Sequence, residues 1–262
     1  MATTVALVTG AASSIGCAIA HTFVKEGCTR LLLGDVNQEN LSVTSDELRT
    51  ANPSVKIVTC KLDVSSGSEV QKFMDAGVSA FGGIHYPVNN VGITSNPRAR
   101  THKLETSSFD ALVAVNLRGT WLCQRAELWQ MLRQQDWGSS TAGGHCERFF
   151  AFALVSHSTS GGYSATKAGV LGMTRTDVIA YAADGIRLIA VLPGWVKTPT
   201  SEESERRGAN YAPIISTIPV KRWGFPVEIT EACVFLAGEK ASLITEADLV
   251  VDGGKRISTW VD

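Results

Sequence analysis

Short apolar, β-branched runs alternate along the chain with longer amphipathic stretches. The runs Val5–Val8, Arg30–Leu33, Val55–Lys61, Ile84–Asn89, Ile186–Leu192 and Leu249–Val251 predict strands. Helical patterns fill the intervals, over Ile15–Glu26, Asn40–Thr50, Ser68–Ala80, Phe109–Gln135, Tyr163–Ala183 and Pro226–Ala237. Such alternation builds βαβ units, whose strands run parallel while the crossover helices cover the sheet. Asp184-Gly185 ends the fifth helix, because glycine accepts the left-handed backbone of a helix C-terminus. No repeat, linker or low-complexity segment divides the chain, so residues 1–262 read as one domain. Two stretches break the pattern. Residues 195–222, rich in proline, serine and charge, predict a mobile lid. Residues 136–150 lack any alternation, and Pro87 falls inside a strand to whose ladder it cannot donate.

Composition narrows the class. The chain has 262 residues, 44% hydrophobic and 19% charged, ordinary for a soluble enzyme with a core. A formal net charge of -1 offers no attraction for nucleic acid or an anionic membrane. Six scattered cysteines form no C-x-x-C pair, which argues against a metal site or disulfide framework and fits a reducing compartment. The start of the chain reads as a strand rather than a signal peptide, and no apolar stretch approaches the roughly 20 residues of a membrane span. A cytoplasmic enzyme is expected.

Two pieces of chemistry stand out. After the first predicted strand, Val8-Thr9-Gly10-Ala11-Ala12-Ser13-Ser14-Ile15-Gly16 opens the first helix. In that setting a glycine-rich turn presents main-chain N–H groups and a helix N-terminus to a pyrophosphate, although a plain Gly/Ser turn has the same letters. The next strand ends in Leu33-Gly34-Asp35, where a carboxylate meets ribose hydroxyls and repels a 2′-phosphate. With no Arg or Lys at Val36, Asn37 or in the turn, NAD(H) is expected over NADP(H). Tyr163 and Lys167 lie one helical turn apart on one face. A nearby ammonium lowers a phenol pKa from about 10 and equips it for proton transfer; a surface Tyr beside a solvated Lys is the plain alternative.

Thr9-Gly10 with Gly16, Asp63-Val64, Asn89-Asn90-Val91-Gly92, Asn116, Tyr163-x-x-x-Lys167, Pro193-Gly194 and Val251-Asp252-Gly253-Gly254 follow one another in the order and spacing of a known family. Over essentially its whole length the chain resembles the short-chain dehydrogenases/reductases. The resemblance implies a Rossmann-type, doubly wound parallel α/β sheet of about seven strands, with helices on both faces and a nicotinamide dinucleotide at its C-terminal edge. It implies that Gly10, Ser13, Ser14, Ile15 and Gly16 hold the pyrophosphate, and Asp35 the ribose. Asp63 and Val64 would receive the adenine, while Asn89, Asn90 and Gly92 line the adenosine side; read locally, Asp63 is also a helix cap. Pro193, Gly194, Val196 and Thr198 would lie by the nicotinamide, Thr198 bonding its carboxamide or a phosphate. Tyr163 would exchange the substrate proton, Lys167 would lower the tyrosine pKa and hold the ribose, and Asn116 would continue a proton relay through a water on its main-chain carbonyl. The implied reaction interconverts a secondary alcohol and a ketone on a small or medium apolar substrate. Trp195, Tyr211, Ile214, Ile215 and Trp223 suit such a lining, or merely anchor the lid. Family assembly implies a homodimer or homotetramer formed through the helices at Phe109–Gln135 and Tyr163–Ala183.

The chain departs from the family at one decisive place. Thirteen residues before Tyr163, where the family carries a serine, stands Phe150. The preceding Gly143-Gly144-His145-Cys146-Glu147-Arg148-Phe149 puts two charges where a buried central strand belongs, so strand five is expected to be compromised. Suitable codons for this stretch, shifted by one base, read Ala-Ala-Ile-Val-Asn-Val-Ser-Ser, close to the family pattern. A shifted frame or splice junction over residues 137–150 is the reading of that coincidence; an uninterrupted transcript coding for Phe149-Phe150 refutes it. The alternative for the chain as written is a degenerate member that binds dinucleotide but is non-redox or catalytically impaired. Ser14 in place of a glycine and Val91 in place of an alanine are smaller departures.

Overall fold

Leu31 and Leu33 turn to one side of their strand and Leu32 to the other, and all three are fully buried. Side chains alternate faces along a strand, so both sides of this sheet must be covered. The computed structural model describes residues 4–95, 98–134, 159–246 and 248–257, with backbone alone for Thr200, Ile257 and residues 145–150. Its strands are β1 (Val5–Thr9), β2 (Arg30–Asp35), β3 (Lys56–Lys61), β4 (Tyr86–Asn89), β5 (His145–Phe150), β6 (Ile186–Pro193) and β7 (Asp248–Val251). They form one seven-stranded sheet in the order β3-β2-β1-β4-β5-β6-β7, every pair parallel. The order reverses between β1 and β4, and the crevice above such a switch point is where doubly wound sheets bind ligands.

Helices α1 (Ser14–Lys25), α2 (Gln38–Ala51) and α9 (Pro226–Ala237) cover one face through Ile19, Phe23, Leu48, Ile229 and Val234, against Val8, Leu33, Val88 and Ile189. The other face carries α3 (Gly67–Phe81), α5 (Thr120–Met131) and α6 (Gly161–Tyr181), through Phe73, Met74, Leu128, Met131 and Val170. The short helices are α4 (Thr106–Leu112), α7 (Pro199–Arg206) and α8 (Ala212–Ile215). Gly185 closes the turn after α6 at φ 77°, the left-handed cap expected of it.

Three expectations change. The helix at Phe109–Gln135 is two helices, α4 and α5, joined by a π-helical turn over Val113–Gly119, and α5 ends at Met131. The aperiodic 195–222 segment carries α7 and α8; the Thr198 side chain accepts from Ser201 N–H and starts α7 in a sequence too polar to show a stripe. Strand five forms despite its composition: six of its residues are in register with β6 and two with β4. Main-chain hydrogen bonding to flanking strands does not depend on side-chain type, which is why the letters misled. The Phe150 side chain lies outside the described residues. Pro87, second in β4 opposite Leu7, follows His85, whose N–H donates to Val5 O, so the strand is already anchored before the missing donor.

Candidate functional site

The turn between β1 and α1 is built for close approach. Gly10 adopts φ 71°, and a side chain on Gly16 would collide with the Gly10 carbonyl oxygen. Ser13, the N-cap residue, turns its hydroxyl to Gly10 O at 2.8 Å and makes no cap bond. The N–H groups of Ser14, Ile15 and Gly16 are therefore the orphan donors that every helix start presents. Asp35 at the end of β2 braces the turn: its carboxylate accepts from Ala12 N–H at 3.0 Å and from Asn37 N–H at 2.9 Å. Just after β4, Asn90 Nδ2 donates to the carbonyls of Thr9 and Gly10, both at 3.3 Å. A glycine cradle with unpaired donors beside a carboxylate fits the diphosphate and ribose of a dinucleotide.

Asp63 Oδ1 accepts from Ser65 N–H and Oγ–H, whereas Ser66 caps α3. Asp63 thus forms a local turn without being the helix cap that its position also suggested. Val64 is buried and packs beside Gly119, where a side chain would approach it to 2.7 Å. Asn89 lies below the rim, and its Nδ2 donates to buried Glu127 at 2.8 Å rather than pointing to the turn.

Asn116, at the centre of the π-helical turn, is wholly buried. Its side chain clamps the Ile93 main chain, Oδ1 accepting from the N–H at 2.8 Å and Nδ2 donating to the carbonyl at 2.9 Å. Nδ2 also reaches Thr166 Oγ1 at 3.3 Å. The Asn116 carbonyl, the expected water ligand, accepts from Thr120 Oγ–H at 2.8 Å. The same turn brings in Lys167: a side chain at Gly92 would lie 3.1 Å from Lys167 Nζ and 3.5 Å from Asn116 Oδ1. Lys167 Nζ is 5.8 Å from the Tyr163 ring centroid. Burial lowers the Lys167 pKa to about 8. Burial also raises the Tyr163 phenol well above its ordinary value, and the cation that pulls it back is Arg98.

Tyr163 opens onto a cavity of about 530 Å³. Ile15, Gly194, Val196 and Thr198 line it together with Trp195, Tyr211, Ile214 and Trp223; Ile215 is not among the described lining residues. Gly194 is held by its N–H to Val251 O, and a side chain there would meet the Asp252 backbone at 2.6 Å. Pro193 ends β6 just below. Sequence reasoning missed Arg98 and Glu127. Arg98 sits in an aperiodic loop that offers no signal. Glu127 was legible as the carboxylate in the buried i, i+4 stripe Cys123–Glu127–Met131. Cys17, His21 and Glu47 bring a thiol, an imidazole and a carboxylate within 4.8 Å of one another across α1 and α2, a grouping the scattered cysteines did not suggest.

Known proteins share this architecture. A family profile described as Enoyl-(Acyl carrier protein) reductase matches residues 10–256. The 2-(R)-hydroxypropyl-CoM dehydrogenase of Xanthobacter autotrophicus is 34% identical over 95% of this chain and 97% of its own. The cis-4-hydroxycyclohexanecarboxylate dehydrogenase of Sinomonas cyclohexanicum is 33% identical, with 95% of each chain covered. Among solved structures, levodione reductase superimposes with a TM-score of 0.89 at 29% identity, covering 98% of this chain and 99% of that one. An actinorhodin polyketide ketoreductase with NADPH gives a TM-score of 0.85 at 29% identity, with 98% of both chains covered.

Proposed function

Because this chain is a short-chain dehydrogenase/reductase, an NAD(P)-dependent oxidoreductase of alcohols and ketones, we propose that it interconverts a secondary alcohol and a ketone and prefers NAD(H) to NADP(H). The supporting observation is the meeting of Tyr163, Lys167, Gly92 and Asn116 at the C-terminal edge of the sheet, beside the cavity. Gly10, Ser13, Ser14, Ile15 and Gly16 hold the pyrophosphate, and Asp35 accepts from the ribose while repelling a 2′-phosphate. Asp63, Val64, Asn90 and Gly92 line the adenosine side, with Asn89 fixing the strand end beneath them. Pro193, Gly194, Val196 and Thr198 border the nicotinamide, which when bound gives or takes the hydride. Tyr163 holds the proton at Oη and passes it to the carbonyl oxygen or takes it from the carbinol. Lys167 supports that transfer by its charge and by holding the ribose. Asn116 keeps the loop after β4 against Lys167, and its carbonyl carries the relay water. Residues 195–222 act as a lid on this single domain, and a small or medium apolar alcohol or ketone fits beneath it. The five described cysteines are free thiols, consistent with a cytoplasmic setting.

Phe150 at the position of the family serine favours a second reading, a dinucleotide-binding protein with impaired or no redox chemistry. NADH fluorescence titration combined with single-turnover hydride transfer on a panel of ketones separates the two, run on this chain and on Phe150→Ser. The first reading expects saturable binding with transfer, faster in Phe150→Ser by about a hundred- to a thousandfold as a positioned donor returns. Binding without transfer in both chains favours the second. Equal kcat/KM with NADH and NADPH removes the cofactor preference.

A further inference from the structure

We propose that the cavity beside Tyr163 contains an anion subsite, so that the substrate is an aromatic or alicyclic ketone or alcohol bearing a carboxylate, with Arg98 as its binding residue. The proposal rests on the redox reading only for the position of the reacting carbon. Its first support is charge. Arg98 and Lys255 both line the cavity, and among the described lining residues there is no aspartate or glutamate. A pocket with two cations and no acid favours a negatively charged guest.

The second support is the state of Arg98. No salt bridge or hydrogen bond engages its guanidinium among the described residues, whereas Arg49, Arg175, Arg206, Arg207 and Arg222 each pair with a carboxylate. A guanidinium offers five donors in a planar fork that matches a carboxylate. The third support is position. Arg98 and Tyr163 line the same cavity, so an anion bound to Arg98 lies in the space onto which the proton-transfer group opens. The aromatic lining explains the carbon skeleton. The rings of Trp195, Tyr211 and Trp223 form a triangle with centroids 5.2 to 6.1 Å apart, two of the three contacts edge-on. Such a cluster receives a flat apolar ring and carries no formal charge, so Arg98 is the stronger partner for an anion. At about 530 Å³ the cavity is within the ordinary range for a small-molecule site.

The test uses two ketones of one skeleton, 4-acetylbenzoate and its methyl ester, titrated calorimetrically into the full-length chain saturated with NAD+, so that no turnover occurs. The acid is expected to bind about ten- to a hundredfold more tightly than the ester, the range of a charge-assisted hydrogen bond, and the preference should shrink with salt. Arg98→Gln should bring the acid down to the affinity of the ester, and Arg98→Lys should retain part of the preference. Equal affinities, no measurable binding of the acid, or an acid preference that survives Arg98→Gln overturns the proposal. So does a loss in Arg98→Gln of NAD+ affinity instead of acid affinity, which would make the guanidinium a cofactor-phosphate ligand. Arg98-dependent binding of the acid, with no hydride transfer to either ketone when NADH is supplied in place of NAD+, supports the subsite and overturns the redox reading alone.

Discussion

A carboxyl group sealed into an apolar helix face has to be neutral or well partnered, and among the described residues Glu127 has one hydrogen-bond partner. Its side chain is buried, Asn89 Nδ2 donates to Oε2, and Oε1 and Asn89 Oδ1 find no hydrogen bond among the described residues. Burial raises its pKa from 4.5 to about 8. The folded chain therefore holds a proton near neutrality that the unfolded chain releases, so rising pH favours unfolding. Between pH 4.5 and about 8 the Glu127 contribution to stability falls as pH rises. Glu127→Gln keeps the shape without the titration. Its Tm should gain on that of the unmodified chain across this window, by a few °C at the upper end, as measured by thermal melts at matched ionic strength. A constant Tm difference across the window rejects the assignment. At this scale the sequence was most informative about type and least about partner. Tyr163 and Lys167 were legible as a pair because one helix carries both, whereas Arg98 comes to the same cavity from another segment.

Among the elements, the β1–α1 turn depends most directly on single residues. Gly16 is closed in by the Gly10 carbonyl and by Asn90 Nδ2, at 2.8 Å from the position of a Cβ. Gly16→Ala has to push the helix start away from the turn, and with it the Ser14, Ile15 and Gly16 N–H groups. NADH affinity should drop about a hundredfold or more if those donors hold the pyrophosphate, since charge-assisted hydrogen bonds each contribute about 1.5–3 kcal/mol. Unchanged NADH affinity in a folded Gly16→Ala chain would remove the cradle from the cofactor site. The turn was readable because glycine spacing, strand and helix are all local. The π-helical turn at Val113–Gly119 was not: its residue types are those of an ordinary helix, and only the hydrogen-bonding pattern distinguishes it from an α-helix. Strand β5 failed in the opposite direction, its letters arguing against an element that its neighbours template.

On the scale of the whole molecule, large apolar side chains remain uncovered where the two long helical segments face outward. Ile179 on α6 is 82% exposed and Trp129 on α5 is 53% exposed, with Trp121, Phe109 and Leu132 also open. The Arg133 guanidinium lies 3.3 Å from the Trp129 ring centroid, which covers part of that ring and no more. Burial of this surface in a homodimer or homotetramer is the expected outcome. Light scattering after gel filtration should give a mass of two or four chains, reduced to one by Ile179→Glu with Trp129→Glu. A monomeric unmodified chain rejects that assembly. Among the described residues no helix is long and apolar enough to cross a membrane.

By itself the sequence determined six of the seven strands and most of the long helices, the glycine turn with Asp35, and the Tyr163–Lys167 pair. All of these are encoded by periodicity or spacing within one element or between adjacent ones. Only the tertiary structure decided that Asn116 clamps Ile93 and reaches Thr166, that Glu127 sits beneath Asn89, and that Arg98, Tyr163, Trp195 and Lys255 share one cavity. Periodicity states which side of an element is buried but not which residue will face it, while charge and hydrogen bonding act through space between segments that folding alone brings together.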